Sequence, residues 1–392
     1  MRKAIVVGGG IGGLSTAVGL HKAGWQVTVA ERAARFRPSG SGITLWPNAL
    51  RGLAELGVAE RLGPGLTAAT AELRDSRGRL ILPFDGTAFE DCFGHFLAGV
   101  HRATLVEALR AGLPDSCLRP GTEVVSADRD GRVSFRDGSS DRADVVVGAD
   151  GIHSRLRACL WPGHAATRYA GSTAFRGVAP AAADAPVGIV WEPGVEFGVV
   201  PLPAGRRYWY VALVAPPGRT HDDPQRYLLE RFAGWPAALR GLIAATPSEA
   251  VLHHDIQVLA RPLRNYVSGR VALVGDAAHA MTPFLGQGGC QAIEDGVALA
   301  AALAEGDETG IDDALDSYDR SRRPRAQSIV AASEQMGRLG HRRRNRLVVA
   351  ARRLVLAHTP TSVSLRRMAR TADWQPPSIR PQAGTPSETR DR

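Results

Sequence analysis

Short apolar runs, a glycine turn and a stretch of small residues open the chain. The pattern predicts a strand at residues 4–7, a glycine turn at 8–13, a helix at 14–23 and a second strand at 26–30. A strand, a helix and a strand in this order form a βαβ unit with parallel strands. The amino-terminal part is therefore predicted to be an α/β domain.

The pattern changes twice further along. Helical periodicity is present at residues 49–62 and 102–112, and strand-like patterns at 123–134 and 144–147. A polar turn at 148–157 follows and leads into a helix. Between 168 and 260, Pro/Gly turns separate strand-like runs at 187–191, 197–200 and 208–214. A buried-strand run at 270–274 and a small-residue helix at 288–304 then return the chain to the first domain.

Composition excludes several classes of protein. The 392 residues are 44% hydrophobic and 22% charged, as in an ordinary globular protein, and the length suggests two domains. No apolar run reaches the roughly 18 residues of a membrane helix, and the start lacks a signal-peptide core, so we expect a cytoplasmic protein. The scattered cysteines (Cys92, Cys117, Cys159, Cys290) have no metal-ligand or CxxC spacing, so we expect free thiols and no metal site.

The net charge of +9 comes from one segment, because residues 338–370 contain ten arginines and no acidic residue. This segment could be a phosphate or membrane patch, or a solvated helical face. No aromatic stacking residues interleave with the arginines, which favours the solvated face and argues against nucleic-acid binding or stable membrane insertion. Lysines occur only at Lys3 and Lys22, so a catalytic lysine elsewhere is impossible.

Gly8, Gly10 and Gly13 form a GxGxxG pattern between a predicted strand and a predicted helix. Glycines there allow a tight turn and a close approach of the backbone to a pyrophosphate, whose charge lies at the helix amino terminus. Glu31 ends the following strand, where a carboxylate can accept hydrogen bonds from ribose hydroxyls; the alternative is a plain surface acid. The context indicates a dinucleotide site.

A second turn of this kind follows the strand at 270–274. It contains Gly275, Asp276 and His279, and the glycine-rich segment 286–289 leads into the late helix. A short Asp can hydrogen-bond a polyol, and a helix amino terminus offers free N–H groups and a positive dipole end. We expect His279 to be structural.

The residues of these motifs resemble those of a known enzyme family. The chain resembles the single-component flavoprotein hydroxylases of the para-hydroxybenzoate hydroxylase type, especially the salicylate, 3-hydroxybenzoate and urate hydroxylase branch. The resemblance covers about residues 3–340. It rests on three motifs: 8–13 with Glu31-Arg32; 147–151 with Ser154 and Arg155; and 275–289 with Glu294-Asp295.

The resemblance implies FAD as the bound cofactor. The glycines of the first turn would face the pyrophosphate, Glu31 the adenosine ribose, Asp276 the ribitol and residues 286–290 the isoalloxazine. Thr44 and Arg102 would contact the rest of the dinucleotide, and Val124 the adenine side. The implied cofactor-binding residues are Gly8, Gly10, Gly12, Gly13, Glu31, Arg32, Thr44, Arg102, Val124, Asp150, Gly151, Arg155, Asp276, Gly286, Gln287, Gly288, Gly289 and Cys290.

The resemblance also implies a mechanism. NAD(P)H reduces the flavin, O2 adds at C4a, and the resulting hydroperoxide hydroxylates or epoxidises a small, aromatic substrate. The protein excludes water and orients the substrate. No residue is indispensable for the chemistry by sequence alone, and the chain is expected to be a monomer or a homodimer.

Candidates on the substrate side are Arg176, Tyr210, His253 and Pro283. Arg176 could orient the flavin or an anionic substrate, or be an ordinary strand arginine. Tyr208 and Tyr210 share one strand face and Trp209 takes the other, so part of this cluster could line a pocket and the remainder could be core. His253 and His254 could act as a base or be exposed strand-end histidines.

Glu196 marks a departure from one branch of the family. Urate hydroxylase carries a basic substrate-binding residue where this chain has Glu196-Phe197, which argues against urate. Two alternatives to a monooxygenase remain: another flavoenzyme on the same fold, and a redox-inactive flavin-binding protein. A flavin halogenase would need a WxWxIP motif and a catalytic lysine, whereas this chain has an isolated Trp46-Pro47 and no lysine beyond residue 22. A disulfide reductase would need a reactive cysteine pair, which is absent from the sequence.

The predicted fold class is α/β, with a Rossmann-like FAD-binding domain, an inserted mixed β-sheet substrate domain and a helical carboxyl terminus. The FAD-binding domain would comprise 1–167 and 263–335, and the substrate domain 168–262. Basic helices at 336–374 and a flexible tail at 375–392 would follow, the tail having few apolar anchors.

Overall fold

The computed structural model describes residues 1–36, 41–180, 187–305, 310–342, 351 and 354–380. A six-stranded sheet forms the centre of the first domain; the first two strands in the order below are antiparallel and all other neighbours are parallel. In sheet order its strands are β18 (Val267–Ser268), β19 (Val271–Leu273), β12 (Val145–Gly148), β1 (Lys3–Val7), β2 (Gln26–Glu31) and β8 (Leu118–Pro120). The predicted βαβ unit and the return of the chain at residue 270 are present.

Besides the helical residues 354–357, twelve α-helices lie entirely within the described part of the chain. They are α1 (Ile11–Lys22), α2 (Pro47–Glu55), α3 (Ala59–Leu62), α4 (Gly86–Phe93), α5 (Arg102–Arg110), α6 (Arg155–Leu160), α7 (Pro224–Arg231), α8 (Ala237–Ala244), α9 (Asp276–His279), α10 (Gly288–Glu305), α11 (Ile311–Met336) and α12 (Thr361–Ala372). None of the helices in these described ranges is long and apolar enough to cross a bilayer.

Small residues let α10 approach α1 closely beside the six-stranded sheet. A Cβ added to Gly19 would lie 2.6 Å from the Cβ of Ala300, and one added to Gly296 would lie 2.6 Å from the backbone nitrogen of Thr16. Because larger side chains would push the helices apart, these glycines set the distance between the first helix and the late helix. Both helices begin beside the same sheet edge.

A seven-stranded sheet forms the centre of the second domain. In sheet order its strands are β17 (Leu252–Leu259), β13 (Thr167–Ala179), β16 (Arg207–Leu213), β15 (Val195–Pro201), β14 (Gly188–Glu192), β5 (Leu73–Arg74) and β6 (Leu80–Leu82). The helices α7 and α8 cover one face through an apolar core that includes Phe197, Trp209 and Leu239. The opposite face is turned toward the first domain, and we call it the site face.

The second sheet also contains strands from outside the predicted substrate-domain range 168–262. Strands β5 and β6 lie in the segment assigned to the first domain, yet they extend the second sheet. These strands are only two and three residues long, so their hydrophobic periodicity is too weak to predict them from the sequence.

Two small antiparallel sheets complete the fold. One has the order β11 (Ser140–Arg142), β10 (Arg132–Phe135) and β9 (Val124–Ala127), and the other β3 (Gly42–Leu45), β7 (Ala98–His101) and β4 (Thr67–Ala68). The single strand predicted at 123–134 is thus a hairpin, because a turn with Gly131 at φ +82° interrupts it.

The prediction of a flexible tail from residue 375 is wrong for residues 375–380. Ile379 is 2% exposed within the core of the first domain, and its N–H donates to Glu55 Oε1 at 2.7 Å. Arg51 donates to the carbonyls of Phe93 and Trp374 and secures the preceding turn. One buried isoleucine anchors a segment that is otherwise polar, and residues 381–392 lie outside the described part.

The basic segment is visible only in part. Arg366, Arg367 and Arg370 are exposed on α12. The apolar side of α12 packs through Leu365 and Ala372 onto an apolar cluster that includes residues of α4. These three arginines lie on an exposed helical face, and the choice between a solvated face and a phosphate or membrane patch stays a prediction. Residues 343–350, 352 and 353 lie outside the described ranges.

Candidate functional site

The first glycine turn connects β1 to α1 and leaves backbone space that side chains would fill. Gly8 has φ +110°, and a Cβ on Gly13 would lie 2.0 Å from the Gly8 carbonyl oxygen. By contrast, no atom lies within 4 Å of the Cβ position of Gly10, which caps α1 without a side-chain hydrogen bond. The free N–H groups at this helix start therefore face open space, as a pyrophosphate site requires.

Glu31 closes this turn from the end of β2. Its Oε2 accepts the Gly9 N–H at 2.7 Å and its Oε1 accepts the Ala33 N–H at 2.8 Å. A carboxylate has about four acceptor positions, so it can still accept two ribose hydroxyls. Arg32 beside it is exposed, and Val124 is buried in the core of the first domain.

The middle motif lies directly against the first turn. A Cβ on Gly8 would be 2.4 Å from the Ala149 carbonyl, and the next residue, Asp150, accepts the Arg155 N–H at 2.7 Å through Oδ2 and so caps α6. Asp150 Oδ1 is buried and has no hydrogen-bond partner among the described residues. Gly151 has φ +81°, and Arg155 pairs with Glu123 at 3.0 Å. A buried carboxylate oxygen without a partner, beside a glycine turn that could bind a pyrophosphate, is explained if a polar ligand hydrogen-bonds to it.

Arg157 links the middle motif to the late turn, and the sequence did not single it out. Its fully buried guanidinium donates to the carbonyls of Ile152, His164 and Ala277, the last at 2.9 Å. This arginine satisfies carbonyls of two separate loops, so we assign it the role of holding them together.

The late turn is organised by Asp295 inside α10. Gly275 has φ +59°, and its N–H donates to Asp295 Oδ2 at 2.8 Å, which also lies 2.5 Å from His279 Nε2. Burial opposes the charge of Asp295, but His279 and Arg322 outweigh it and lower the pKa to about 2. Asp276 is left exposed at the turn, where it can reach a ligand.

A buried polar network braces the start of α10, and sequence reasoning missed most of it. Glu294 accepts from Asn48 and from Arg325, and it also pairs with Arg322. Gln287 joins through Oε1, which accepts the Asn48 amide at 3.1 Å. The side chain of Gln287 is therefore turned inward, and a ligand would meet its backbone.

The amino terminus of α10 lies beside β3. Gly286 has φ +63°, and a Cβ on Gly289 would be 2.5 Å from Ile43 Cδ1. The Cys290 thiol contacts the carbonyls of Thr44 and Gly286 at 3.7 and 3.6 Å, and burial raises the pKa of this thiol to about 12. Cys290 is thus an uncharged packing residue. Gly288 has no atom closer than 4.0 Å to its Cβ position, where Met281 Cγ lies.

These turns converge on α10. Ala292 of this helix lies 3.3 Å from the Cβ position of Gly12 and 3.2 Å from that of Gly275. The first and last motifs, about 260 residues apart in sequence, therefore touch the same helix turn. A dinucleotide such as FAD fits the glycine turns, the unpartnered Asp150 oxygen and the helix amino termini. The binding role of each residue stays a prediction.

The site face of the second sheet carries Arg176, Tyr208 and Tyr210, as the alternation predicts. Arg176 is paired with Tyr210 across β13 and β16, which places both on one face. Trp209 lies on the other face, where its Nε1 donates to Thr246 Oγ1 at 2.8 Å.

His253 does not lie on this face, so the structure does not bring it together with Arg176 and Tyr210, and its role as a base stays a prediction. It lies on the α7 and α8 side, stacks on Phe175 with 4.1 Å between ring centroids, and its Nε2 is 2.9 Å from Thr173 Oγ1. His254 is paired with Ala174 and points to the site face, where burial and the charge of Arg176 lower its pKa to about 4. His254 is therefore neutral near pH 7.

Pro283 begins a one-turn 3₁₀ helix (Pro283–Leu285) that presses against the site face. Phe284 packs with Ala174, Ala212 and Ile256 of that face. The turn that leads into α10 thus lies directly over the second sheet.

Two arginines make this junction electropositive. Burial lowers the pKa of Arg102, the charge of Asp276 opposes this shift, and Arg176 adds to it. Arg102 is therefore close enough to interact electrostatically with both Asp276 and Arg176, and an anionic group between the two arginines would relieve their repulsion.

Two surface clefts, of about 410 and 360 Å³, lie elsewhere. They surround the amino end of β1 and include Arg2, Asp144 and Lys3. Ligands of open α/β sheets bind at the carboxyl ends of the strands, where the glycine turns are, so we place the site at the turns and not in these clefts.

Known proteins agree with this geometry. A family model described as "FAD binding domain" matches residues 1–333. The chain is 37% identical to the aurachin C monooxygenase/isomerase of Stigmatella aurantiaca, over 86% of this chain and 89% of the relative. It is 34% identical to the 2-heptyl-3-hydroxy-4(1H)-quinolone synthase of Pseudomonas aeruginosa, over 86% of this chain and 89% of that relative.

A solved structure is similar over nearly its whole length. The crystal structure of Klebsiella pneumoniae HpxO complexed with FAD and uric acid superposes with a TM-score of 0.87 at 29% identity, covering 95% of this chain and 96% of that one. The chain therefore belongs to the single-component, FAD-dependent aromatic hydroxylases and is an FAD-dependent monooxygenase.

Proposed function

We propose that this enzyme uses FAD, NAD(P)H and O2 to hydroxylate a planar, uncharged heteroaromatic ring. The observation that carries the proposal is the convergence of the Pro283–Leu285 turn and the start of α10 on the site face of the second sheet. A ligand at the amino terminus of α10 would lie between a dinucleotide cradle and a face that carries Tyr208 and Tyr210.

The cofactor would extend across the carboxyl ends of the first sheet. The Gly8–Gly13 turn would receive the pyrophosphate, Glu31 the ribose hydroxyls, and Asp276 the polyol linker. When bound, FAD supplies hydride acceptance and the activation of O2. The free N–H groups at the start of α10, together with Arg102 and Arg176, would stabilise negative charge on the pyrimidine side of its ring.

The chain's own contribution to the reaction is positioning and exclusion of water. Phe284 and the neighbouring alanines of the site face form an apolar surface beside the turn. Tyr208 is buried, whereas Tyr210 keeps some accessible surface. A planar ring can pack against such a surface and offer its edge to the Tyr210 hydroxyl.

The substrate class is supported by the relatives. Their names specify aurachin C and an alkylated 4(1H)-quinolone, and each aligns with 86% of this chain. The basic residue expected of a urate site is replaced by Glu196. An uncharged heteroaromatic ring of the quinolone type is therefore favoured over urate or another organic anion.

The test is a spectroscopic and product assay on FAD-loaded protein. We expect NADH or NADPH to bleach the flavin, faster when 2-heptyl-4(1H)-quinolone is present, and turnover under ¹⁸O2 to give a product with one labelled oxygen atom. FAD that stays oxidised with both nicotinamides, across a panel of heteroaromatic rings, would refute the proposal.

A further inference from the structure

Glu196 is a buried carboxyl group without a cation. It is 2% exposed, and no lysine, arginine or histidine among the described residues forms an ion pair with it. The other buried carboxylates of the described ranges differ, because Asp75 pairs with Arg79, and Glu294 and Asp295 pair with Arg322. Burying an unpaired acid is costly, so its presence needs a reason.

Two donors hold Glu196 in one orientation. Trp191 Nε1 donates to Oε2 at 2.7 Å, and the Tyr210 hydroxyl donates to Oε1 at 3.1 Å. An indole N–H can only donate, whereas a phenolic hydroxyl donates one proton and keeps lone pairs that accept. While Glu196 is ionised, the Tyr210 proton is committed to it, and the oxygen of Tyr210 can act only as an acceptor toward any other group.

The strand register directs this arrangement to the site face. Glu196 is paired with Trp191 and with Ala212, and Tyr210 with Gly198 and Arg176. A Cβ on Gly198 would lie 2.0 Å from Tyr210 Cε1, so the ring lies flat against this glycine and its hydroxyl position is restricted. Tyr210 is half-buried on the site face, where it packs with Val200, Leu202 and Tyr208. Phe284 packs on Ala212 of the same face.

We propose that Glu196 is a positioning residue that presents the Tyr210 oxygen as a hydrogen-bond acceptor, so that the site selects a heteroaromatic substrate with a ring N–H at this point. The proposal rests on the proposed function and deepens it. A substrate that offers an acceptor or an anion would face lone pairs and is disfavoured. Burial raises the pKa of Glu196 to about 7, so binding is measured above that pH, where the carboxylate predominates.

Replacing Glu196 with Gln should reverse the polarity of Tyr210. The Trp191 N–H still needs an acceptor, so the amide oxygen of Gln takes the place of Oε2. The amide N–H₂ then faces the Tyr210 oxygen and donates to it, and the hydroxyl proton of Tyr210 turns toward the site. A nearly isosteric change thus exchanges an acceptor for a donor.

The experiment compares two probes on the FAD-loaded enzyme. One is 2-heptyl-4(1H)-quinolone, and the other is 2-heptylchromone, in which a ring oxygen replaces the N–H. Dissociation constants are read from the change in flavin absorbance on binding. We expect the wild type to prefer the quinolone by about tenfold, the worth of one hydrogen bond at the upper end of its usual range.

The preference ratio should fall to about one or invert in Glu196→Gln, and fall to about one in Tyr210→Phe. Glu192→Gln is the matched control, because Glu192 lies on β14, accepts from Ser76 and should keep the wild-type ratio. A wild-type ratio that Glu196→Gln leaves unchanged, with FAD content normal, would overturn the inference, since a merely structural role cannot produce discrimination between the probes.

A second measurement does not depend on the probes. Neutron diffraction of the FAD-loaded wild type above neutral pH should place the Tyr210 deuteron toward Glu196; a deuteron pointing away would overturn the inference. If neither probe binds while the deuteron lies toward Glu196, the quinolone-type substrate of the proposed function fails, and the acceptor polarity of Tyr210 stands.

Discussion

Replacing Glu196 with Gln should change the pH dependence of stability as well as ligand choice. Burial outweighs the hydrogen bonds from Trp191 and Tyr210 and raises the pKa of Glu196 from 4.5 to about 7. Below about pH 4.5 both the folded and the unfolded chain hold the proton. Between that pH and about 7 the unfolded chain releases it while the folded chain keeps it, so the free energy of unfolding falls as pH rises.

The size of this effect follows from the shift. A rise of the pKa from 4.5 to about 7 corresponds to a loss of about 3 kcal/mol across the window, complete once the pH exceeds the folded-state pKa. Gln does not titrate. The free energy of unfolding of Glu196→Gln minus that of the wild type should therefore be about 2.5 kcal/mol larger at about pH 8 than at about pH 5, because part of the loss has already occurred at about pH 5.

Urea unfolding of both proteins, saturated with FAD at each pH, measures this double difference. Contributions that the two proteins share cancel, which matters because cofactor-binding, two-domain proteins seldom unfold in two states. Glu249→Gln is the control, since Glu249 is exposed in the same domain and should give no double difference. Equal differences at the two pH values would mean that the folded protein ionises Glu196 like a surface residue, and the reasoning from burial would be refuted.

Three further outcomes are expected. Glu31→Lys should lose FAD on dilution, because a cation replaces the acceptor of the ribose hydroxyls and of two backbone N–H groups; full flavin occupancy by absorbance would contradict the adenosine-end assignment. Gly288→Asp should lower the flavin midpoint potential in an anaerobic titration, whereas Gly288→Asn should not. The space is sufficient for both side chains to begin, because Met281 Cγ lies 4.0 Å from the Cβ position, so the two variants differ in charge. Equal midpoint potentials in the two variants would mean that the flavin does not lie at this turn. Ile379→Ala should lower the free energy of unfolding by about 2–4 kcal/mol, while removal of residues 381–392 should leave the melting temperature and turnover unchanged. A stable Ile379→Ala variant beside a destabilised truncation would mean that Ile379 does not anchor this segment.

The sequence determined the parts of the site that depend on short-range order. The strand before Gly8, the helix after it and the acid at the end of β2 all follow from local periodicity and turn chemistry, and they were found within one or two residues except for the start of α1. Alternation along β16 likewise assigned Tyr208 and Tyr210 to one face and Trp209 to the other. The departure at Glu196 was noticed only through the resemblance to urate hydroxylase, which carries a basic residue there.

Other features came only from tertiary structure, because they depend on which segments meet. Alternation separates His253 from His254, but the placement of α7 and α8 decides that the face of His253 is covered. Arg157 and Arg322 gain their roles from loops and helices far away in sequence. Ile379 is an isolated apolar residue in the sequence, and only the tertiary structure shows that it is buried in the core of the first domain.

Glu196 illustrates the same division most clearly. Its identity is written in the sequence, but its pKa, its two donors and its effect on Tyr210 arise only when β14, β15 and β16 align in one register. A shift of one residue would turn the carboxyl to the opposite face. Hydrogen bonds and burial are properties of three-dimensional neighbourhoods, so local pattern can name the residues of this site but not the electrostatics that they create together.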